Sequence, residues 1–280
     1  MENGVVGSRG AFERTAARRR LIVAAVAGIL GFAAGRAIAA PPPSPAATVI
    51  PVTVDGATQN VLFIPPAGPP VAAVVMLPGG DGRIGVQPNG TFQRGGNFLI
   101  RTRDLWLARR FFFVAVDAAE ARAGSHGDRI GPANLRAMAE IVRLVRQRTT
   151  APIWLVGTSA GGPAALAGAA SMPPGTVRGA VISSPVSMPG IHDTVFEVPL
   201  AQIRTPVLIQ INREDGCAFT PPANAPRIKA ALKASPAVDI QEFAGGDWPR
   251  SGPCEAFARH GFLGIEAQVV NAAADWMQAH

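Results

Sequence analysis

Short, uninterrupted apolar runs alternate along the chain with segments whose apolar residues recur every three or four positions. The first kind predicts strands buried on both faces, and the second predicts helices with one buried stripe. Val71–Leu77 is such a run, bounded by prolines and by Gly79-Gly80, and Phe111–Val116 is another, ended by Asp117. Ile153–Val156 is a further strand, and Ala180–Ser183, Val207–Ile211 and Val238–Phe243 complete the strands. Ahead of them, Val49–Val54 and Asn60–Ile64 read as an opening antiparallel pair. Helical spacing covers Phe98–Arg109. Pro132–Arg148 puts Leu135, Met138, Ile141, Val142 and Val145 on one face and arginines on the other. Gly161–Ala170 reads as a compact Ala/Gly helix, and Ile265–Gln278 as a closing helix with Ile265, Val269, Val270, Ala273 and Trp276 on one side. Strands alternating with helices in this way predict an α/β fold, with a mostly parallel central sheet flanked by helices.

Composition changes this picture mainly at the N-terminus. With 48% apolar and 16% charged residues in 280, the chain fits one large globular domain and excludes intrinsic disorder. Of the formal net charge of +7, residues 1–40 carry +4, from six arginines against Glu2 and Glu13. The remaining charge is scattered, with no basic stripe interleaved with aromatics, so no nucleic-acid partner is expected. Arg18-Arg19-Arg20 precedes the uncharged run Leu21–Ala34, and Ala37-Ile38-Ala39 follows with small residues suited to cleavage. A basic start, a short apolar stretch and a small-x-small site predict a signal peptide over residues 1–39, cut after Ala39. The apolar run is shorter than the ~20 residues that a membrane span needs. An uncleaved signal-anchor is the alternative. Arg18-Arg19-Arg20-Leu21-Ile22 also matches the twin-arginine export pattern. Residues 40–47, rich in proline, read as a linker, which leaves 48–280 as the folded domain. The expected location is therefore outside the cytoplasm, secreted or periplasmic, with no stable membrane span after cleavage.

The sharpest chemical signal is Gly157-Thr158-Ser159-Ala160-Gly161. A hydroxyl becomes a usable nucleophile when it is exposed on a turn beside a base. A tight strand-to-helix turn gives that exposure, and its crowded backbone calls for glycine at both flanks. The predicted strand Ile153–Val156 before it and the small-residue helix after it supply the required context. A base is then expected downstream, with an acid between the two. Of the four histidines, His126 and His192 are out of order and His280 is the last residue. That leaves His260, which lies just before the last helix. The acid is expected at the end of a strand, and Asp215 after Val207–Ile211 is the first choice, with Glu214 as the alternative. Its role would be to hold the imidazole Nδ1 proton so that Nε2 faces the serine. Leu77-Pro78-Gly79-Gly80-Asp81-Gly82 offers backbone N–H groups for a developing oxyanion, with Ala160 and either Gly80 or Gly79 as the expected donors.

The chain holds only two cysteines, Cys217 and Cys254. An even count in an exported chain suggests a disulfide. Such a bridge would tie the acid loop to the base loop, which favours preorganisation of loop-borne groups. No histidine pair has ligand spacing, and no phosphate or dinucleotide motif is present, so neither a metal nor a cofactor is expected.

Taken in order, Leu77-Pro78-Gly79-Gly80, Gly157-Thr158-Ser159-Ala160-Gly161, Asp215 and His260 resemble the α/β-hydrolase superfamily over about residues 48–280. Asp215-Gly216-Cys217, Pro253-Cys254 and His260-Gly261-Phe262 are similar to exported bacterial members. The resemblance implies Ser159 as nucleophile, His260 as general base, Asp215 as its orienter, and Gly80 with Ala160 as the oxyanion hole. The short stretch from Ser184 to Pro206 leaves little room for a helical cap, and the loop Asp117 to Asp128, with Ser125 and His126, is expected to rim the pocket. The activity so implied is hydrolysis of a small-molecule or polymeric ester by a serine esterase through an acyl-enzyme. The alternatives are a peptidase or polyester depolymerase on the same fold, or a non-catalytic exported binding protein.

Overall fold

Each uninterrupted apolar run is a strand in the computed structural model, which describes residues 46–119 and 129–280. The expected signal peptide and most of the linker lie outside the described residues. β1 (Thr48–Val54) and β2 (Ala57–Ile64) form a hairpin. Its two turn residues, Asp55 and Gly56, both have positive φ (52° and 73°), the backbone twist that a two-residue hairpin requires. β3 (Ala72–Leu77), β4 (Phe111–Val116), β5 (Ile153–Thr158), β6 (Gly179–Ser183) and β7 (Val207–Asn212) are buried along their whole length. Both faces of these strands are covered by helices, which is why their sequences are mostly apolar. β8 (Val238–Phe243) closes the far edge and is only partly buried.

The sheet order is β1-β2-β4-β3-β5-β6-β7-β8. β1 to β2 and β2 to β4 pair antiparallel, and every later pair is parallel. α3 (Pro132–Arg146), α4 (Gly161–Ser171) and α5 (Ala225–Ala231) cover one face. α1 (Phe98–Arg101), α2 (Arg103–Ala108) and α6 (Glu266–Ala279) cover the other. The small residues of α4 let it sit close to the sheet: a Cβ on Gly168 would stand 2.3 Å from Met138 Sδ and 2.7 Å from a Leu155 methyl. On the opposite face the Trp276 ring meets Trp154 edge-on at 5.6 Å, and its indole N–H donates to Asp239 Oδ2 (2.7 Å).

One local expectation is corrected. The segment expected as one helix over Phe98–Arg109 is two short helices that meet at Thr102. The Thr102 hydroxyl donates to the carbonyls of Phe98 (2.8 Å) and Leu99 (3.2 Å), a local competition with the helical ladder. α5 was not anticipated: it buries only Ala225 and Ile228, too few positions to show a period. Because β3 to β8 run parallel, the turns after β3, β5, β6, β7 and β8 gather at one edge of the sheet. Open α/β sheets bind ligands at that carboxyl edge.

Candidate active site

The turn after β5 brings Ser159 to that edge. Its φ is +54°, a left-handed conformation that a non-glycine residue rarely adopts and that costs about 1–3 kcal/mol. The flanking glycines are required by space. A Cβ on Gly157 would lie 2.0 Å from Gly161 O, and one on Gly161 would lie 1.9 Å from Leu77 O. Any side chain at either position would push the helix off the strand. The turn is locked by its own backbone: Ser159 N–H donates to Ser183 O (3.0 Å), and Ser159 O accepts from Gly162 N–H (3.0 Å) and Val186 N–H (3.1 Å).

His260 sits on a short 3-10 turn between β8 and α6 and is 4% exposed. Its Nδ1 lies 2.9 Å from Asp215 Oδ2. The same Oδ2 accepts from the Thr220 hydroxyl (2.9 Å), which is 3.2 Å from Nδ1, and Oδ1 accepts from Cys217 N–H (2.9 Å). Both carboxylate oxygens are therefore occupied by donors, an arrangement that suits the ionised acid. With Asp215 ionised, Nδ1 carries the ring proton and Nε2 is left as an acceptor. Glu214 is turned elsewhere: it pairs with Arg259 (3.3 Å) and accepts from Gly245 N–H (3.1 Å).

The base loop is tied down from two sides. The Ser184 hydroxyl at the end of β6 donates to His260 O (3.0 Å). Arg101 on α1 donates to Gly261 O, to Gly96 O (2.8 Å) and to Glu266 Oε1 (3.0 Å). Burial holds the Arg101 guanidinium below its usual range, while the hydrogen bond and charge of Glu266 oppose that shift. A Cβ on Gly261 would meet Ala256 O at 2.1 Å, so the residue after the histidine has to be glycine. Cys217 and Cys254 form a disulfide (Cα–Cα 4.5 Å) that joins the loop of Asp215 to the loop that runs toward His260.

Ser159 and His260 line one cleft of about 510 Å³ together with Gly79 and Gly80. Among the described residues no hydrogen bond joins the Ser159 hydroxyl to the imidazole. The turn after β3 runs close against the serine: a Cβ on Gly79 would lie 2.8 Å from Ser159 Cβ. Gly80 has φ +61°, and neither its N–H nor that of Ala160 donates to a backbone carbonyl among the described residues. The lining also includes Phe98 and Phe257 and the charged Arg83, Arg94 and Asp81, the last two paired at 3.1 Å.

The fold thus brings Ser159, His260, Asp215, Gly80 and Ala160 to one edge. His192 and His280 take no part in this cluster, and His126 and the loop 120–128 lie outside the described residues. Thr220, Ser184 and Arg101 were not singled out in the sequence. They act through hydroxyl or guanidinium bonds to distant segments, and nothing in the local pattern distinguishes them from ordinary surface residues. Among the described residues no group of three or more His, Cys, Asp or Glu side chains is placed to hold a metal ion.

An eight-stranded, mostly parallel sheet in this order, with flanking helices, is the α/β-hydrolase fold. Solved structures of that fold match the chain at low sequence identity. Dienelactone hydrolase from Anabaena variabilis has a TM-score of 0.61 and 14% identity, over 85% of this chain and 99% of that one. The Pyrococcus furiosus esterase Pf2001 has a TM-score of 0.57 and 14% identity, over 83% of this chain and 91% of its own. Acylaminoacyl peptidase from Pyrococcus horikoshii has a TM-score of 0.57 and 14% identity over 84% of this chain, which spans only 42% of the peptidase. No protein-family model matches the chain, and no curated protein matches it in sequence.

Proposed function

We propose that the protein is an exported serine hydrolase that cleaves a carboxylic ester through an acyl-enzyme. The observation that carries this reading is the buried 2.9 Å contact between Asp215 and His260, which lines the same cleft as a serine on a strained strand-to-helix turn. Ser159 is the nucleophile and attacks the ester carbonyl. His260 Nε2 takes the hydroxyl proton and passes it to the leaving alcohol, while Asp215 stabilises the imidazolium. Proton transfer requires the serine oxygen within about 3 Å of Nε2. The serine oxygen is placed by one torsion, χ1, so a rotamer change moves it without backbone movement. The N–H groups of Ala160 and Gly80 receive the charge on the tetrahedral oxygen, and each such donor contributes roughly 3–4 kcal/mol in comparable sites. Water then enters, His260 activates it, and the acid is released.

Export is supported by the leader pattern and the disulfide. Among the described residues no helix is long and apolar enough to cross a membrane. Dienelactone hydrolase and the esterase are matched over 99% and 91% of their own length, and we follow that likeness in choosing an ester, with a peptide as the second reading.

A fluorophosphonate probe tests the assignment. Intact protein is expected to be labelled and Ser159→Ala to be blank, with nitrophenyl esters of increasing acyl length sizing the cleft. Absence of labelling of the intact, folded protein would instead make it a binding protein on this scaffold. Turnover of peptide nitroanilides in preference to esters would make it a peptidase.

A further inference from the structure

The turn after β3 is held by a side chain that stands outside the cleft. In a trans peptide the C=O and the N–H point to opposite sides, so a group that fixes a carbonyl also fixes the N–H of the following residue. The Arg129 guanidinium donates from Nη2 to Pro78 O (2.8 Å) and from Nη1 to Gly80 O (3.1 Å). Between those two peptides lies the one joining Gly79 to Gly80. Its carbonyl accepts from Gly82 N–H (3.1 Å), and its N–H is the Gly80 donor. Three successive peptides are therefore pinned, and one side chain pins the two outer ones.

Arg129 is itself placed with care. Its backbone N–H donates to Asp193 Oδ2 (2.7 Å). The guanidinium packs over Gly82, where a Cβ would lie 2.5 Å from Nη1 and 3.0 Å from Cζ. Burial lowers its pKa to about 10, with the charges of Asp193 and Asp81 working the other way, so the group stays cationic at neutral pH. Desolvating a guanidinium is unfavourable unless its hydrogen bonds are well made. Here two of them are made to the carbonyls of a single tight turn. Arg129 does not line the cleft that holds Ser159; it lines a smaller cavity behind the turn, with Pro78 and Gly82.

Resting on the hydrolase reading above, we propose that Arg129 is a positioning residue that aims the Gly80 N–H at the developing oxyanion. It touches neither substrate nor the reacting atoms. An interaction that matters only when the oxyanion forms lowers kcat on removal and leaves KM nearly unchanged. Displacement of a donor by about 1 Å lowers the rate by up to roughly 100-fold. Lysine keeps the charge but lacks the planar fork that spans two carbonyls, so it restores only part of the function.

The test compares wild type, Arg129→Met and Arg129→Lys on one nitrophenyl ester, with circular dichroism and thermal melting to establish folding. Arg129→Met is expected to lose about 10- to 100-fold in kcat with KM within about threefold, and Arg129→Lys to fall between it and wild type. Millimolar guanidinium ion added to Arg129→Met should restore part of kcat and leave wild type unaffected, a response that a merely structural role would not give. The proposal is overturned if folded Arg129→Met keeps kcat within twofold of wild type, if its loss lies in KM alone, or if guanidinium restores nothing. Should Arg129→Met fail to fold, Arg129→Lys decides: a loss in kcat at constant KM supports the assignment, and a wild-type kcat overturns it. If the wild-type protein neither turns over esters nor takes the fluorophosphonate, the hydrolase reading itself falls and this assignment falls with it. An active wild type with an indifferent Arg129 removes only the positioning role.

Discussion

A serine in the left-handed region is disfavoured on its own, and its neighbours are what hold it there. Ser159 keeps φ +54° because Gly157 and Gly161, lacking a Cβ, let the turn close tightly and three backbone hydrogen bonds hold it. The strain exposes the hydroxyl at the mouth of the sheet. At the same scale, two adjacent acids have different surroundings. Asp215 is enclosed by His260, Thr220 and Cys217 N–H, whereas Glu214 faces Arg259 and Gly245. Asp215→Asn is therefore expected to lower kcat by roughly 10³- to 10⁴-fold, because the amide favours the wrong imidazole tautomer. Glu214→Gln should change kcat only a few-fold. Steady-state kinetics on a nitrophenyl ester distinguishes them, and the reverse ranking would move the acid role to Glu214. Sequence order and the predicted strand end made Asp215 the first choice and kept Glu214 as the alternative. The structure was needed to decide, because a turn's φ and ψ set which of two neighbouring carboxyls swings inward.

The elements were legible wherever burial imposed a pattern. The strands from β3 to β7 are enclosed on both faces and read as largely apolar runs, and α3 shows its stripe in full. The pattern failed where few residues are buried, as in α5, and where a side chain intervenes, as at Thr102 between α1 and α2. Loops carry the base and the acid, and the Cys217–Cys254 bridge joins them. Replacing both cysteines by serine is expected to lower stability by about 3–4 kcal/mol, read as a shift in the urea midpoint. The double variant should also lose kcat more than KM, since loosening the acid loop affects the alignment of His260 rather than the walls of the cleft. A folded double variant with wild-type kcat would restrict the disulfide to a stabilising role.

For the whole molecule, the proposed leader carries a prediction of its own. It rests on reading Leu21–Ala34 as a leader's apolar stretch and Ala37-Ile38-Ala39 as its cleavage site. Expression with this leader in a bacterium that has a periplasm is expected to yield a mature protein starting at Ala40, read by intact mass and N-terminal sequencing. Recovery of the uncut chain in the membrane fraction would make the segment a signal-anchor. By itself the sequence determined most of the segments that become strands and helices, and it marked Ser159 by the glycines around it, because burial and steric crowding act locally and leave local signatures. The tertiary structure alone decided that Asp215 rather than Glu214 meets His260, that Thr220 and Ser184 brace the pair, and that Arg129 reaches back to the turn after β3. Those choices depend on directions and distances between segments far apart in the chain. They are set only when the sheet carries its turns to a common edge.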